Sequence, residues 1–376
     1  MQRLIKGLAI HTGETTLANG AILIDEQQII EVFADGDKLP NNIKSQTYPS
    51  NYHLLPGMID MHIHGSHGAD VMDASSRALQ TIADALLAQG TIAFLATTMT
   101  ASIEDTEKAI LTIKNFIAQQ TRGAKILGIH LEGPFISREY HAAQQKQAII
   151  PPDIRLFKHW QALSDNTIKL ITIAPEEQGA LDLISYCRQQ NILTSLGHSQ
   201  ANYAEATAGI DAGISHATHL FNAMRGIHHR EPGAVTALLL RDSVYTELIT
   251  DGNHLNDAII ELTYKIKGAD KLILVTDATR AQCLKDGVYE LGGQEIFVKD
   301  NAVRLKNESL AGSVVTFAAA IKQMLKASGC DMNDIVKMVS TNPAKQLNLK
   351  NYGKIAAGYD ANVTIMDENF NIVNKT

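Results

Sequence analysis

The sequence predicts an α/β fold: a (β/α)8 TIM barrel with a small β-sandwich domain formed from both termini. Eight short apolar runs typical of buried parallel strands recur through the middle of the chain, with amphipathic stretches between most of them. Shorter, partly alternating runs lie at the two ends. Histidines and carboxylates fall at the C-terminal ends of several central runs, where barrel enzymes carry their reactive side chains. Periodicity alone fits a doubly wound sheet almost as well; the strand-end residues favour the barrel.

Taken in order, residues 1–52 read as β-structure. Runs at 4–11 and 21–33 are punctuated by Gly13, Gly20 and the turn around Asp35-Gly36-Asp37. The tail reads the same way from Gly353, through 361–365, to Ile372-Val373. Neither end has enough apolar surface to fold alone. The expectation is therefore one small sandwich from 1–52 and 346–376, beside a barrel spanning 53–345. The barrel strands are the apolar stretch from Leu54 to Ile63 and the runs at 91–99, 125–131, 168–174, 192–196, 214–219, 245–250 and 271–276. Helices fit at 76–89, 103–119, 180–190, 203–212 and 257–267, with Gly90, Gly123, Gly213 and Gly268 where helix-terminating glycines belong. A hairpin insertion is expected near 287–306, followed by helices at about 317–327 and 332–339.

Composition narrows the function. The 376 residues exceed one ordinary domain, although a barrel of about 250 residues is routinely a single one. A formal net charge of −7 gives no support for a nucleic-acid or anionic-membrane partner. Cys187, Cys283 and Cys330 are odd in number and widely spaced, which indicates neither a disulfide framework nor a Cys-x-x-Cys metal site. With no signal-peptide core and no run of ~18 apolar residues, the expected location is the cytoplasm.

The chemistry is declared by Asp60-Met61-His62-Ile63-His64-Gly65. Side chains at i and i+2 of a strand share a face, so His62 and His64 can aim two imidazoles into one site. Later strands end in Glu132, His198, His219 and Asp277, and Asp251 and His254 follow the seventh. Four histidines with Glu132 and Asp277 can build a divalent metal site, mononuclear or dinuclear. His67, His141, His216, His228 and His229 lie nearby, but nothing in their spacing makes them ligands.

Several motifs carry a resemblance over essentially the whole chain. They are Pro56-Gly57-Met58-Ile59-Asp60-Met61-His62-Ile63-His64-Gly65, His130-Leu131-Glu132-Gly133-Pro134-Phe135, Gly197-His198-Ser199 and Thr218-His219-Leu220-Phe221-Asn222-Ala223-Met224. Further matches are Arg230-Glu231-Pro232-Gly233, Asp251-Gly252-Asn253-His254, Thr276-Asp277-Ala278, Ser340-Thr341-Asn342-Pro343-Ala344 and Gly358-Tyr359-Asp360-Ala361-Asn362. On these residues the chain resembles the metal-dependent amidohydrolase superfamily, and within it the N-acetylglucosamine-6-phosphate deacetylase family. His-x-His is shared across the superfamily; His-Leu-Glu-Gly-Pro-Phe with His-Leu-Phe-Asn-Ala-Met is far more selective.

The resemblance implies that Glu132, His198 and His219 hold a principal metal. His62 and His64 would hold a second, with Glu132 bridging and Asp277 as the catalytic carboxylate beside the metals. It implies zinc first, with iron, manganese or cobalt as alternatives, at one or two ions per subunit. Asn222, Ala223 (through its backbone), Arg230 and His254 would meet a sugar phosphate, and a homodimer or higher oligomer can supply some of these groups from a neighbouring copy. Gln144 stands where the family often has a histidine that assists the carbonyl oxygen; an amide donates a hydrogen bond but carries no proton. Asn362 replaces a common acidic residue. The implied reaction is hydrolysis of N-acetyl-D-glucosamine 6-phosphate to D-glucosamine 6-phosphate and acetate in amino-sugar catabolism. Three alternatives stay open at this level: the galactosamine epimer as substrate, another amidohydrolase reaction, and a non-catalytic scaffold. Many cyclic amidases bridge their metals with a carbamylated lysine at the end of strand four. Here that strand ends Ala174-Pro175-Glu176 and Lys169 lies at its start, which favours Glu132 as the bridge.

Overall fold

The computed structural model describes residues 2–375. Eight parallel strands follow one another round a single sheet: β1 Met58–Ile63, β2 Thr91–Thr98, β3 Lys125–Glu132, β4 Ile168–Ile173, β5 Leu193–Leu196, β6 His216–Ala217, β7 Tyr245–Leu248 and β8 Leu272–Leu274. The seam between β8 and β1 is closed by the chain just past β8. Ala278 bridges Ile63, and the Asp277 amide donates to the His62 carbonyl at 2.8 Å. Asp60, fully buried inside β1, accepts from the Thr276 hydroxyl at 2.6 Å and stitches the same seam. Burial pushes its carboxyl up to about 7 against the opposing hydrogen bond from Thr276. The TIM-barrel expectation is borne out.

Helices Ser76–Ala88, Ile103–Gln119, Ala180–Gln189, Tyr203–Ala212 and Asp257–Lys267 lie where the 3.6-residue pattern puts them. Ser75, Ser102, Asn202 and Asn256 cap four of them through their side chains. Two helices escape the periodicity. Ile154–Leu163 is capped by Asp153 after Pro151-Pro152 and buries Phe157 and Trp160. Ala234–Leu240 is seven residues long and apolar on nearly every side, so it shows no polar face to read. The insertion is a three-stranded meander, Gly287–Leu291, Gln294–Lys299 and Ala302–Leu305, one strand more than a hairpin.

The terminal strands share one seven-stranded sheet, in which Val363–Met366 pairs with His53–Pro56 and the latter with Gln2–His11. The sheet curls until Gln27 and Ile29, at its far side, exchange backbone hydrogen bonds with Gly358, Tyr359 and Ala361. Ile5, Leu8, Ile10, Ile22, Ile24, Leu54, Val363 and Ile365 fill the space so enclosed. Where this sheet meets the rest of the protein, His11 Nε2 lies 2.9 Å from His53 Nδ1, and its Nδ1 lies 2.9 Å from Thr16 Oγ1. Phe370 stacks on the His53 ring.

Burial, and then the neighbouring His53, push the His11 imidazole down to about 4, with Asp331 opposing. Its folded pKa lies below the unfolded value of about 6.5, so the unfolded chain binds the extra proton in between. This contribution to stability is complete above about pH 6.5 and is lost as pH falls towards 4, to the extent of about 3 kcal/mol. In urea unfolding at a series of pH values, His11→Gln should lose less stability between neutral pH and pH 4 than the parent does. Equal losses would place the acid sensitivity elsewhere.

Candidate active site

The strand-end residues do converge. Glu132, at the end of β3, is 2% exposed and sits at the centre. Its Oε1 lies 3.2 Å from His198 Nε2, 3.3 Å from His219 Nε2 and 3.4 Å from His62 Nε2; its Oε2 lies 3.2 Å from His64 Nε2. Asp277 Oδ1 is 3.4 Å from His62 Nε2 and 3.3 Å from His64 Nε2. Two overlapping donor sets result, His62–His64–Glu132 and Glu132–His198–His219, each with its ligand atoms within 4.8 Å of one another.

The backbone is bent to make this happen. His198, His219 and Asp277 have φ of +47°, +31° and +47°, left-handed values that L-residues with side chains rarely adopt. All three sit just past the end of a strand, where the turn swings a side chain across the barrel mouth. Such conformations persist where surrounding contacts over-determine them, and they concentrate at functional sites. Two glycines make room. Gly133, at φ +75°, leaves the end of β3, and a Cβ there would come 1.9 Å from Thr100 Oγ1. Gly312, at φ +61°, passes beside Asp277, and a Cβ would meet the Asp277 carbonyl at 3.0 Å.

The far sides of the rings show what the near sides are for. His198 Nδ1 lies 3.0 Å from the Tyr140 carbonyl and His64 Nδ1 3.2 Å from the Thr97 carbonyl. His62 Nδ1 lies 3.0 Å from Glu247 Oε2. These acceptors have no proton to give, so each Nδ1 must donate, which leaves each Nε2 as the atom that can offer a lone pair to a cation beside Glu132. His62 Nε2 is buried and finds no hydrogen-bond partner among the described residues. His198 Nε2 and His219 Nε2 face each other at 3.2 Å. Three carboxylates, Glu132, Asp277 and Glu247, are buried here, and the groups around them are imidazoles rather than lysine or arginine.

Protons on the rings can balance the buried carboxylates in the place a cation would take. Burial would depress the His62 imidazole, yet the carboxylates of Glu132, Asp277 and Glu247 outweigh it and hold the ring well above its ordinary value. His64 is pushed up to about 9, its burial overcome by hydrogen bonds to Asp277 and Glu132. Burial opposes ionisation of Glu132, but His62 and hydrogen bonds from His198 and His219 keep its carboxyl well below the usual range. Asp277 is lowered in the same way, by His62 and then His64 acting against burial. Nitrogen lone pairs and carboxylate oxygens in a negative, dry cradle are the donor set of a divalent cation, and these residues fit one.

A cavity of about 270 Å3 opens over this cluster, lined by His64, Glu132, Gln144, His198, His219, Asn222, Ala223, His254 and Asp277, with Leu291 of the insertion and residues 309–312 just after it as one wall. Asn222, Ala223 and His254 therefore line the same cavity as the cluster. His254 Nδ1 is held 2.8 Å from Asp251 Oδ2. Gln144 also lines the cavity, but both ends of its amide are engaged. Its Oε1 accepts from the Thr100 amide at 2.6 Å, and its Nε2 donates to Glu132 Oε2 at 2.7 Å. Arg230 is not brought in. It lies on an exposed loop with its Nη1 2.7 Å from His229 Nε2, away from the cavity lining.

Sequence reasoning missed Glu247 and its partner His216. The signal was present: a carboxylate in the middle of a short apolar strand, where a charge stays only if its partners are buried with it.

Comparison with known proteins extends this. Residues 53–376 match the model of the amidohydrolase family. The N-acetylglucosamine-6-phosphate deacetylase of Bacillus subtilis is 40% identical, covering 98% of this chain and 94% of that protein. An N-acetylgalactosamine-6-phosphate deacetylase of Escherichia coli O157:H7 is 33% identical over 85% of each chain. The structure of a single-substitution mutant of the Mycobacterium smegmatis N-acetyl-D-glucosamine-6-phosphate deacetylase, in complex with N-acetyl-D-glucosamine-6-phosphate, superposes with a TM-score of 0.92. It is 29% identical and covers 99% of this chain and 96% of its own.

A cation that binds only the folded state stabilises it by about 2.7 kcal/mol at 100 times its dissociation constant. Chelator-stripped protein should gain thermal stability on adding zinc, and Glu132→Ala should lose most of that gain. An unchanged midpoint in the parent protein would contradict a cation site in this cluster.

Proposed function

Because the chain belongs to the amidohydrolase family, we propose that this cavity hydrolyses N-acetyl-D-glucosamine 6-phosphate to D-glucosamine 6-phosphate and acetate. The observation that carries the reading is the convergence of four imidazoles on the Glu132 carboxylate, with Asp277 against two of them. The activity is that of its relatives, a step of amino-sugar metabolism. His62, His64, Glu132, His198 and His219 would hold a divalent cation, which would supply Lewis acidity toward a carbonyl oxygen and make water more acidic. We take the count as two ions sharing Glu132, with zinc first and iron, manganese or cobalt as alternatives.

The protein's own groups do the rest. Asp277, ionised between His62 and His64, accepts a proton from the attacking water and returns it to the departing amine nitrogen. This role is typically worth ~10² to 10⁴ in rate. Gln144 holds Glu132 rather than the substrate. Asn222, the Ala223 backbone and His254 bind the sugar phosphate at the cavity wall. Arg230 joins them from a second copy of the chain in a homodimer, a role its exposed loop leaves it free to play. An arginine fork suits phosphate oxygens. We place the enzyme in the cytoplasm, where Cys187, Cys283 and Cys330 stay as the free thiols they are in the fold.

Acetate release from acetylated glucosamine and galactosamine, each with and without 6-phosphate, tests the assignment. The 6-phosphorylated glucosamine compound should have the highest kcat/KM; no acetate from either phosphosugar would sink it. Asp277→Asn should lower kcat by about 10²- to 10⁴-fold while zinc content stays at the parent level. Charge-assisted bonds are worth about 1.5–3 kcal/mol, so Arg230→Ala should cost about 10- to 100-fold in kcat/KM on the phosphorylated sugar and little on the unphosphorylated one. Equal losses on both would remove Arg230 from the phosphate site.

A further inference from the structure

Glu247, in the middle of β7, is fully buried, and every partner it has belongs to one network. Its Oε2 accepts from His62 Nδ1 and from the His219 backbone amide, both at 3.0 Å. Its Oε1 lies 2.9 Å from His216 Nε2. Its own carbonyl accepts the Leu220 amide at 3.0 Å, so side chain and backbone together grip the turn on which His219 sits at φ +31°. One carboxylate thus reaches a member of each donor set: His62, from the pair on β1, and His219, from the set completed by His198.

We infer that Glu247 is a positioning residue that couples the two metal-binding sets, by fixing the His62 ring with its Nε2 lone pair inward and by holding the His219 backbone in its left-handed turn. The inference rests on the cation-binding reading of the site. A carboxylate buried without lysine or arginine is expensive. Its retention is accounted for by what it orients. Without it, nothing keeps the single proton of the neutral His62 ring on Nδ1; on Nε2 it would close that lone pair to a cation, and the His219 amide is left without an acceptor.

Two substitutions separate this from a merely structural role. Glu247→Met keeps the volume and removes every acceptor. Glu247→Gln keeps one oxygen for His62 and His219 while the His216 ring switches tautomer to accept from the amide. Zinc dissociation constants come from competition with a chelator at fixed pH, and the thermal midpoint is measured on metal-free protein. Loss of an outer partner of a metal-binding histidine typically weakens affinity 10- to 100-fold. We expect that for Glu247→Met and an intermediate loss for Glu247→Gln; the metal-free midpoint also falls in Glu247→Met, because the buried His62, His216 and His219 groups lose their acceptor. Parent-like zinc affinity in Glu247→Met, with only the metal-free midpoint lowered, would overturn the proposal. Should Glu247→Met not fold, Glu247→Gln decides: several-fold weaker zinc binding supports the inference, and unchanged binding refutes it. The parent's ion count is read in the same titration. A single ion there would refute the dinuclear reading, while the affinity comparison for that ion still decides the role of Glu247.

Discussion

The structure depends on one electrostatic constraint: Glu132 is an ionised carboxylate in the dry mouth of a barrel, ringed by imidazoles rather than by a fixed cation. Removing a carboxylate from water is tolerable only when it is paired or coordinates a metal. Much of the surrounding architecture serves that requirement. The Tyr140 and Thr97 carbonyls and Glu247 fix three of the four rings from behind. Gln144 takes one lone pair of Oε2 and leaves the rest of the carboxylate to its two neighbouring sets.

The fold turns that local requirement into a site. Parallel strands put all their C-terminal ends on one face, and the left-handed residues just past β5, β6 and β8 bring three side chains across it. Asp60 and Thr276 close the barrel seam directly beneath Asp277, so the residue read as the proton carrier stands on the least regular part of the wall. The insertion supplies the opposite wall and is tied to the loop after β3, through Gln145 Nε2 to the Gly292 carbonyl at 2.6 Å and Gln294 Nε2 to the Ala143 carbonyl at 2.7 Å.

Much of this was legible in the sequence, and the physical reasons differ from residue to residue. His62 and His64 could be read because strand alternation is strict: two residues apart means one face. Glu132, His198, His219 and Asp277 could be read because each follows an apolar run, and strand ends share a rim. The left-handed turns could not, since nothing in Gly-His-Ser or Thr-His-Leu announces a positive φ at the histidine. Gln144 could be located by its place in a motif, but its engagement with Glu132 and Thr100 is a tertiary fact. The helix Ala234–Leu240 was hidden by its own burial, because an element apolar all round has no face to read. Arg230 shows the opposite limit. A motif fixes its identity, while the single chain leaves it in solvent, outside the cavity.

The most direct test of the central claim is the position of bound metal. In crystals of zinc-loaded protein, anomalous difference maps at the zinc edge should show two peaks flanking the Glu132 carboxylate. One should lie against His62 and His64, the other against His198 and His219. A single peak against one set, with the other empty at saturating zinc, would contradict the account of Glu132 as the shared centre of the site.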